Sequence, residues 1–463
     1  DDVSAEMEEI DEEESDSSMD DDNEDEDDDD DGEGEGEGGD KPETKRQTYI
    51  PTVDTMNSNE ELEYDESAYV MYHKAETGFP CLSFDIIRDN LGDVEERGKS
   101  YPQTSYLVGG TQATKVHINS LLVLKMSNLL PLKKKQDEDL SDSESEDENL
   151  DDKPELECFK IPHNGCINRV RSTIINNKAI AASWSELGNV HIWDLSKALQ
   201  AVNDVQAMTY LINSKEKYAP LFTFTGHRHE GFAVDWSNAK QGLLATGDCV
   251  KNIFVWKPAD DGFWHIDQQP LIGHTDSVED IQWSPNEENV LASCSVDKSI
   301  RIWDIRARPG SNCMVTVSNA HDSDVNVISW NRNEKAFLIS GGDDGVIKTW
   351  DLRQFKSKAS NPKPIATFKH HLSYITSIEW NPTDGTVFSA SGNDNQLTIW
   401  DLAVEKDQEK EDEEQNVANL PPQLLFIHQG QKEIKELHWH PQLTGVIIST
   451  AINGFDIFRT ISV

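Results

Sequence analysis

The sequence predicts an all-β fold, a seven-bladed propeller in which four-stranded blades close into a ring. The main evidence is a repeat of one histidine and two tryptophans, with the first tryptophan nine residues after the histidine and the second twenty residues later. Four clear copies occur, at His227/Trp236/Trp256, His274/Trp283/Trp303, His321/Trp330/Trp350 and His371/Trp380/Trp400. Successive copies begin 47, 47 and 50 residues apart. A unit of this length can bury its apolar face only against neighbouring copies, so the repeat indicates a closed array.

Each clear copy contains four short segments with the alternating polarity of β-strands. In the copy that begins at His274, the predicted strands are Val278–Trp283, Val290–Ser295, Ile300–Trp303 and Met314–Val317. A tight hairpin between the second and third strands contains Asp297. Asp344 and Asp394 repeat this position, six residues before the second tryptophan of their copies. The repeated unit is therefore a four-stranded antiparallel blade.

Three weaker units complete the predicted ring. His163 lies 30 residues before Trp193, and His428 lies 30 residues before Phe458, as in the clear copies. The seventh unit lacks the histidine, and its predicted strands are Cys81–Ile87, Ser105–Gly109, Leu121–Met126 and Leu156–Ile161. Because only five residues follow Phe458, the last blade needs an outer strand from elsewhere. We expect Gln47–Val53 to supply it.

The segment that precedes the first unit is predicted to be helical. Glu61–Ala75 has apolar and aromatic residues interspersed among acids, and Gly78 and Pro80 follow as stop signals. The predicted organisation is then a disordered acidic tract at 1–46, an N-terminal extension with this helix at 47–78, and the propeller at 79–463. The propeller carries two acidic insertions, at 133–153 and 403–419.

The net charge of −46 is concentrated in these tracts. Residues 1–43 carry 26 acids and one base, and 136–152 carry ten acids and no base. Such blocks repel themselves and bury too little surface to fold. Their field attracts strongly basic partners and repels nucleic acid, so we expect no direct nucleic-acid binding. The densest run is predicted to bind a basic client through Asp20, Asp21, Asp22, Glu24, Asp25, Glu26, Asp27, Asp28, Asp29, Asp30 and Asp31.

The sequence indicates a binding protein rather than an enzyme. The recurring histidines occupy one place per blade, which favours buried structural groups over catalytic bases. The six cysteines form no C-x-x-C pair, and no nucleophile-and-base motif is recognisable, so no cofactor or metal is expected. The absence of a signal peptide and of a run of 18 apolar residues predicts a soluble protein without a membrane partner. We expect a monomer.

The repeats resemble those of the WD-repeat family. Gly226-His227, Trp303-Asp304 and Trp350-Asp351 stand where the signature of that family requires them, as does Trp400-Asp401. The resemblance implies that the histidine, the hairpin aspartate and the second tryptophan of each blade share a buried hydrogen-bond network. The residues implied are His227, His274, His321, His371, Asp297, Asp344, Asp394, Trp256, Trp303, Trp350 and Trp400.

A closer resemblance comes from the sequence Tyr-His-Lys-Ala-Glu-Thr-Gly at 72–78 and from Pro80–Asp85, which follows it. These motifs, with the acidic tract, are similar to those of the glutamate-rich WD-repeat family, which is related to the histone-binding WD-repeat subfamily. The resemblance implies a dedicated chaperone of ribosomal protein three of the large subunit. Such a chaperone would act with pre-60S assembly factors in the nucleus and nucleolus, and also in the cytoplasm. Two alternatives stay open, a histone-binding chaperone and a propeller substrate adaptor of a ubiquitin ligase.

Two further sets of residues are predicted to be functional. The loops that follow the blade histidines share one place in each repeat and should lie on one rim of the ring. Their acidic and aromatic residues are predicted to contact the client, and these are Glu230, Phe232, Asp276, Asp322, Asp324 and Tyr374. Ser141, Ser143 and Ser145 each have a glutamate three residues later, the pattern that an acidophilic kinase recognises. Phosphorylation there would make the first insertion more acidic.

Overall fold

A computed structural model describes residues 49–51, 54, 62–92, 94–98, 100–132, 153–215, 217–260, 262–355, 362–405 and 420–463. In these ranges the chain forms seven four-stranded antiparallel sheets, which confirms the predicted seven-bladed all-β propeller. All of the strands belong to one compact unit, Ile50–Val463. The predicted acidic tract and most of both predicted insertions lie outside the described residues.

The strands follow the chain in order around the ring. The first strand is β1 (Tyr69–Ala75). Blade one comprises β2 (Cys81–Ile87), β3 (Gln103–Thr111), β4 (Ser120–Leu129) and β5 (Glu155–Pro162). Blade two comprises β6 (Ile167–Ile175), β7 (Lys178–Ser185), β8 (Val190–Asp194) and β9 (Phe222–Phe224). Blade three comprises β10 (Ala233–Trp236), β11 (Leu244–Gly247), β12 (Ile253–Pro258) and β13 (Trp264–Ile266).

The remaining blades repeat the same order from the channel outward. Blade four comprises β14 (Val278–Trp283), β15 (Val290–Ser295), β16 (Ile300–Asp304) and β17 (Cys313–Val317). Blade five comprises β18 (Val325–Trp330), β19 (Phe337–Gly342), β20 (Val346–Asp351) and β21 (Ala366–Lys369). Blade six comprises β22 (Ile375–Trp380), β23 (Val387–Gly392), β24 (Leu397–Asp401) and β25 (Leu424–His428). Blade seven contains β26 (Glu436–Trp439), β27 (Val446–Ala451) and β28 (Gly454–Thr460).

Blade seven takes its outer strand from the beginning of the described chain. β1 pairs antiparallel with β28, so that Tyr72 lies opposite Phe458 and Ala75 opposite Phe455. The predicted helix over Glu61–Ala75 is therefore wrong where the structure describes it. Tyr69–Tyr72 is a run of aromatic, β-branched and long apolar residues that suits a pleated surface. The exposed edge of β28 supplies hydrogen bonds that a helix could not use.

The start of the propeller needs a second correction. The ring begins at Tyr69 rather than at residue 79, and Gln47–Val53 does not form the outer strand of blade seven, because β1 occupies that edge. Before β1, a single 3-10 turn spans Glu66–Ala68, and the Asp65 carboxylate accepts a hydrogen bond from the Ser67 N–H at 2.9 Å. Local hydrogen bonding by this aspartate ends the extended chain before the strand.

Short helices occupy loops rather than blades. α1 (Val94–Arg97) follows β2, and single 3-10 turns lie at Val116–Ile118 and Leu352–Gln354. α2 (Ser196–Ala201) and α3 (Val205–Asn213) form an insertion between β8 and β9 of blade two. The insertion packs Ala198, Ala201 and Val202 against the core shared by blades one and two.

Side chains of one blade satisfy the inner strand of the next. The carboxylate of Asp235 accepts a hydrogen bond from the Trp283 N–H at 2.6 Å, and Asp280 accepts one from Ile328 at 3.0 Å. Glu379 accepts one from the Trp439 N–H at 3.1 Å in the same way. An inner strand has no neighbour on its channel side, so these side chains replace the missing ladder partner.

The first tryptophan of each repeat links adjacent blades. The indole N–H of Trp283 donates to the carbonyl oxygen of Asp235 at 3.0 Å, and that of Trp380 donates to Ser329 at 3.1 Å. Trp236 and Trp439 make the equivalent bond to the preceding blade. Trp330 differs, since its indole donates to Lys335 within its own blade. The nine-residue spacing from histidine to tryptophan therefore encodes contact between blades.

One buried carboxylate joins three blades at the closure of the ring. Glu436 on β26 is 1% exposed, and its Oε1 lies 2.5 Å from Arg169 and 2.7 Å from Arg171 on blade two. Its Oε2 accepts hydrogen bonds from the Ser83 hydroxyl at 2.6 Å and the Phe84 N–H at 2.8 Å on blade one. The two arginines also line the central cavity, of about 620 Å³. Glu436 therefore ties blade seven to both blades beyond the seam.

The neighbouring His438 makes the stability of this cluster depend on pH. Burial opposes its charge, but Glu379 at 2.9 Å and Glu436 at 3.7 Å raise the pKa of His438 to about 10. A folded-state pKa above the unfolded value of 6.5 means that its stabilisation is complete below pH 6.5 and is lost as pH rises toward 10.

We expect the free energy of unfolding to fall by about 1–3 kcal/mol between pH 7 and pH 10 because of this histidine. His438→Gln should remove most of that fall, as measured by denaturant titration at each pH. The control is His265→Gln, at an imidazole that is 76% exposed. An identical alkaline fall in the wild type and in His438→Gln would show that His438 is not charged in the folded protein.

Candidate functional site

The recurring histidines lie in buried hydrogen-bond networks inside the blades. In blade four, His274 Nδ1 lies 2.9 Å from Asp297, and its Nε2 lies 2.7 Å from the Ser293 hydroxyl. The Trp303 indole donates to the same hydroxyl at 2.7 Å. Ser293 therefore connects the histidine to the tryptophan, which do not bond directly. The family pattern did not include this hydroxyl.

The geometry fixes the protonation of the network. The Ser293 hydroxyl accepts from the indole and can donate to His274 Nε2, which leaves the Nδ1–H to donate to Asp297. Burial lowers the pKa of His274 despite this bond, so the imidazole is neutral at pH 7. Burial opposes ionisation of Asp297, but the hydrogen bond from His274 holds the pKa of its carboxyl well below the usual range. A neutral, fully hydrogen-bonded histidine serves the fold rather than acid–base chemistry.

Blades three, five and six have the same arrangement with local variations. Asp344 and Asp394 each lie 3.0 Å from their histidine, and Ser340 and Thr398 supply the bridging hydroxyls. In blade three the acid is Asp248, eight residues before Trp256 rather than six. The fixed offset of six hid this aspartate in the sequence.

The two flanking units have different networks. His163 in blade two bonds the carbonyl oxygen of Gly165 instead of a carboxylate. In blade seven, His428 lies 3.2 Å from Asp456 and 2.8 Å from the Tyr69 hydroxyl. Tyr69 belongs to β1, so the last network is completed by the first strand of the ring.

We expect His274→Ala to lower the free energy of unfolding by about 1–3 kcal/mol, because it leaves the buried Asp297 and Ser293 without a partner. Thermal and denaturant unfolding measure this loss. His265→Ala, at an exposed position on β13, is the matched control and should change stability little. Equal stability of His274→Ala and the wild type would contradict the structural role of the network.

The face of the ring that carries these histidines is built alike in every blade. We call it the loop face, and it consists of the loop before each inner strand and the hairpin between the second and third strands. In each blade a hairpin N–H donates to a carbonyl oxygen of the loop. The seven pairs are Gln112–Pro80, Glu186–Cys166, Cys249–Glu230, Val296–Ser277, Asp343–Asp324, Asn393–Tyr374 and Ile452–Lys432.

The six positions predicted to contact a client all lie on the loop face, in blades three to six. Glu230, Asp276, Asp322 and Tyr374 are exposed, and Phe232 and Asp324 are half-buried. Their role in binding stays a prediction. The predicted acidic positions Asp20–Asp31 and the candidate phosphorylation sites Ser141, Ser143 and Ser145 lie outside the described residues.

Acids on the loops of blades three, four and five form one electronegative stretch. We call it the acidic arc, and its members are Glu230, Asp276, Glu279, Asp322, Asp324 and Asp343. Burial and the neighbouring Asp343 and Asp276 raise the pKa of Asp324, and burial and Asp324 raise that of Glu279. These like charges lie close enough to destabilise one another, which a cationic partner would relieve. Sequence reasoning missed Glu279 and Asp343, which lie in an inner strand and a hairpin.

The described part of the chain holds no group of three or more histidines, cysteines or acids placed to bind a metal ion. Within the same residues, no helix is long and apolar enough to cross a membrane.

Two family models match the chain. The model described as "WD domain, G-beta repeat" matches residues 267–304, 311–351 and 362–401, which correspond to blades four to six. The model that describes the histone-binding protein RBBP4 and its counterpart in the CAF1 complex matches residues 59–130. The second match covers β1 to β4 and therefore includes the seam of the ring.

Three relatives align along most of the chain. The ribosome assembly protein rrb1 of Schizosaccharomyces pombe is 40% identical over 413 residues, which cover 88% of this chain and 83% of the relative. The glutamate-rich WD repeat-containing protein 1 of Dictyostelium discoideum is 45% identical over 426 residues, with the same coverage of 88% and 83%. The protein HEAT STRESS TOLERANT DWD 1 of Arabidopsis thaliana is 41% identical over 445 residues, covering 90% and 92%.

Proposed function

Because the chain belongs to the family of the ribosome assembly protein rrb1 and of glutamate-rich WD repeat-containing protein 1, we propose that it acts in assembly of the large ribosomal subunit. In this proposal it binds and shields ribosomal protein three of the large subunit and delivers it to pre-60S particles in the nucleus and nucleolus. The observation that carries the proposal is the 40% identity to a ribosome assembly protein over 88% of this chain.

The charges of the protein support a basic client. Ribosomal proteins neutralise RNA phosphates in their final place, so before assembly they bind any available RNA. The acidic arc offers fixed carboxylates on one face, and residues 1–43 add 26 more acids. A field of this sign raises the rate of encounter with a cationic client and disfavours nucleic acid.

The recurring histidines support binding rather than catalysis. They are neutral, buried and saturated with hydrogen bonds, as His274 shows. The exposed loop residues are acids and aromatics on a rigid ring, an arrangement suited to recognition of a protein surface.

A histone-binding role is the second candidate, and the family model that matches residues 59–130 favours it. That match covers a small part of the chain, whereas the similarity to rrb1 covers most of it. The predicted helix that resembled the histone-binding subfamily also gives way to β1 over Tyr69–Ala75. We therefore place the ribosomal client first and keep histones as an alternative client.

Affinity capture of the full-length chain at moderate salt, followed by mass spectrometry, tests the choice between clients. We expect enrichment of ribosomal protein three of the large subunit. Core histones would favour the histone-binding alternative, and a cullin scaffold would favour a ubiquitin-ligase adaptor. Direct binding should then be measured with the purified ribosomal protein, since capture alone does not prove contact.

The six loop positions provide a test within the propeller. We expect neutral or small replacements at Glu230, Phe232, Asp276, Asp322, Asp324 and Tyr374 together to weaken binding of the purified ribosomal protein. The matched control neutralises Glu287, Glu288 and Asp384, exposed acids on turns between first and second strands, at the opposite end of the blades. Binding that survives the sixfold change would remove the loop face from the client surface.

A further inference from the structure

Large apolar side chains are exposed on the part of the loop face that lacks the acidic arc. They lie in blades six, seven, one and two, which are consecutive around the ring. Each is at least 38% exposed, and they are Leu372, Tyr374, Ile452, Phe79, Val116, Ile118 and Leu187. We call this set the apolar arc. On the loops of blades three to five, only Val250 and Ile272 are comparably exposed among the described residues.

The loops that carry the apolar arc are held together across blade boundaries. The Glu433 N–H of blade seven donates to Asn395 of blade six at 2.7 Å. The Gly165 N–H of blade two donates to the carbonyl oxygen of Val116 in blade one at 3.0 Å. Backbone and side-chain bonds therefore fix these loops, so the exposed apolar side chains are presented by a prepared surface rather than by frayed chain ends.

The apolar arc and the acidic arc meet at both ends. Between blades five and six, the Asn326 amide donates to the Asp343 carboxylate at 2.8 Å and to the carbonyl oxygen of Ile375, next to Tyr374, at 3.2 Å. Between blades two and three, the Asn168 amide donates to the Glu230 carboxylate at 2.9 Å. The two chemistries therefore border each other on one continuous face.

The acidic arc also contains a polar group that awaits a partner. Ser323 lies between Asp322 and Asp324, and its hydroxyl oxygen is buried without a hydrogen-bond partner in the described part of the chain. A buried hydroxyl that makes no hydrogen bond costs free energy, and a bound peptide with donors to spare would satisfy it. The unpaired hydroxyl therefore favours a ligand at this end of the loop face.

We propose that the loop face binds a single peptide segment in which large apolar residues adjoin a cluster of lysines or arginines, the apolar part on the apolar arc and the cationic part on the acidic arc. Exposed apolar patches rimmed by polar residues mark binding surfaces, and the adjoining carboxylates select a cationic neighbour over an acidic one. The inference deepens the proposed function and rests on it for the identity of the natural partner. A purely basic tail would use only half of this face.

Panning of randomised short peptides displayed on phage against the full-length chain tests this surface without presuming a client. We expect the enriched peptides to contain both an apolar cluster and adjacent lysines or arginines. Fluorescence anisotropy then measures their affinity for three variants. The apolar-arc variant is Leu187→Ser with Leu372→Ser and Ile452→Ser, and the acidic-arc variant is Glu230→Gln with Asp276→Asn and Asp343→Asn. The control is Val205→Ser with Tyr210→Ser and Ile212→Ser, at exposed apolar residues of α3 away from the loop face.

Each arc variant should bind the selected peptides roughly tenfold more weakly, and the α3 control should bind them like the wild type. The acidic-arc variant should also lose salt dependence, whereas the apolar-arc variant should keep it. Enrichment of purely basic peptides, no enrichment, or full affinity of the apolar-arc variant would overturn the inference. Selected peptides that behave as expected while purified ribosomal protein three fails to bind would instead sink the proposed function and leave this surface standing.

Discussion

Replacement of Glu436 by alanine is expected to lower the free energy of unfolding by about 3–5 kcal/mol, the largest effect of any single substitution considered. The carboxylate is buried and binds Arg169, Arg171 and Ser83 from two other blades. Its removal leaves two arginine charges in the channel without their counter-ion and also frees the Phe84 N–H. Denaturant unfolding followed by tryptophan fluorescence measures the loss.

Two further variants separate charge from shape and from position. Glu436→Gln keeps the volume but leaves the arginines uncompensated, so most of the loss should remain. Glu433→Ala, three positions earlier in the chain, removes an exposed acid paired with Lys435 and should cost less than about 1 kcal/mol. A Glu436→Ala protein as stable as Glu433→Ala would mean that the ring closes through strand pairing alone.

The sequence was sufficient to predict the ring because its repeat reports contacts of short range. His274, Asp297 and Trp303 lie within one blade, and the blade is an antiparallel meander whose strands follow one another in the chain. The spacing of such residues is fixed by the length of strands and hairpins, so it recurs in each copy. The seven blades and their strand order follow from this regularity.

The predictions that failed concern contacts between distant parts of the chain. Tyr69–Ala75 has a local pattern compatible with a helix, and only the free edge of β28, almost 400 residues later, selects the strand. Glu436 meets Ser83 across 353 residues, and no spacing in the sequence relates them. Ring closure is the step at which the local pattern stops being informative.

The candidate site was predictable to the same extent. A shared place in the repeat put Glu230, Asp276 and Tyr374 on one face, where the structure has them. The sequence did not separate the face into acidic and apolar arcs, because the arcs are properties of adjacent blades rather than of one repeat. Phe79 and Leu187 lie in units that lack the complete signature, so their exposure could not be read from register.

The rigidity of the ring has a consequence for binding. Carboxylates held by backbone bonds cannot move apart, so the repulsion that raises the pKa of Asp324 persists until a cation arrives. Flexible acids would instead spread into solvent and lose both the strain and the specificity. The loop face is thus suited to reading a defined segment, whereas a polyanionic tract is suited to covering charge whose positions vary.

Deletion of residues 1–43 is expected to weaken binding of ribosomal protein three at low salt by about tenfold or more and to flatten its salt dependence. These residues carry 26 acids against one base. Exposed charges are screened over about 8 Å at physiological salt, so a contribution from the tract must fade as salt rises, while contact with the propeller persists. Titration of the purified ribosomal protein at several salt concentrations measures both terms. Sedimentation with added RNA measures protection of the client.

A matched variant tests whether charge or mere length is responsible. Changing the eleven acids between Asp20 and Asp31 to their amides keeps the length of the tract but removes its densest charge. We expect it to reproduce much of the lost salt dependence and to let the client co-precipitate with RNA, without lowering the thermal stability of the propeller. Because the tract and the loop face act on different parts of the client, their losses should add in free energy. Wild-type affinity, salt slope and protection in the deletion variant would reduce the tract to a solubility tail and leave shielding to the propeller alone.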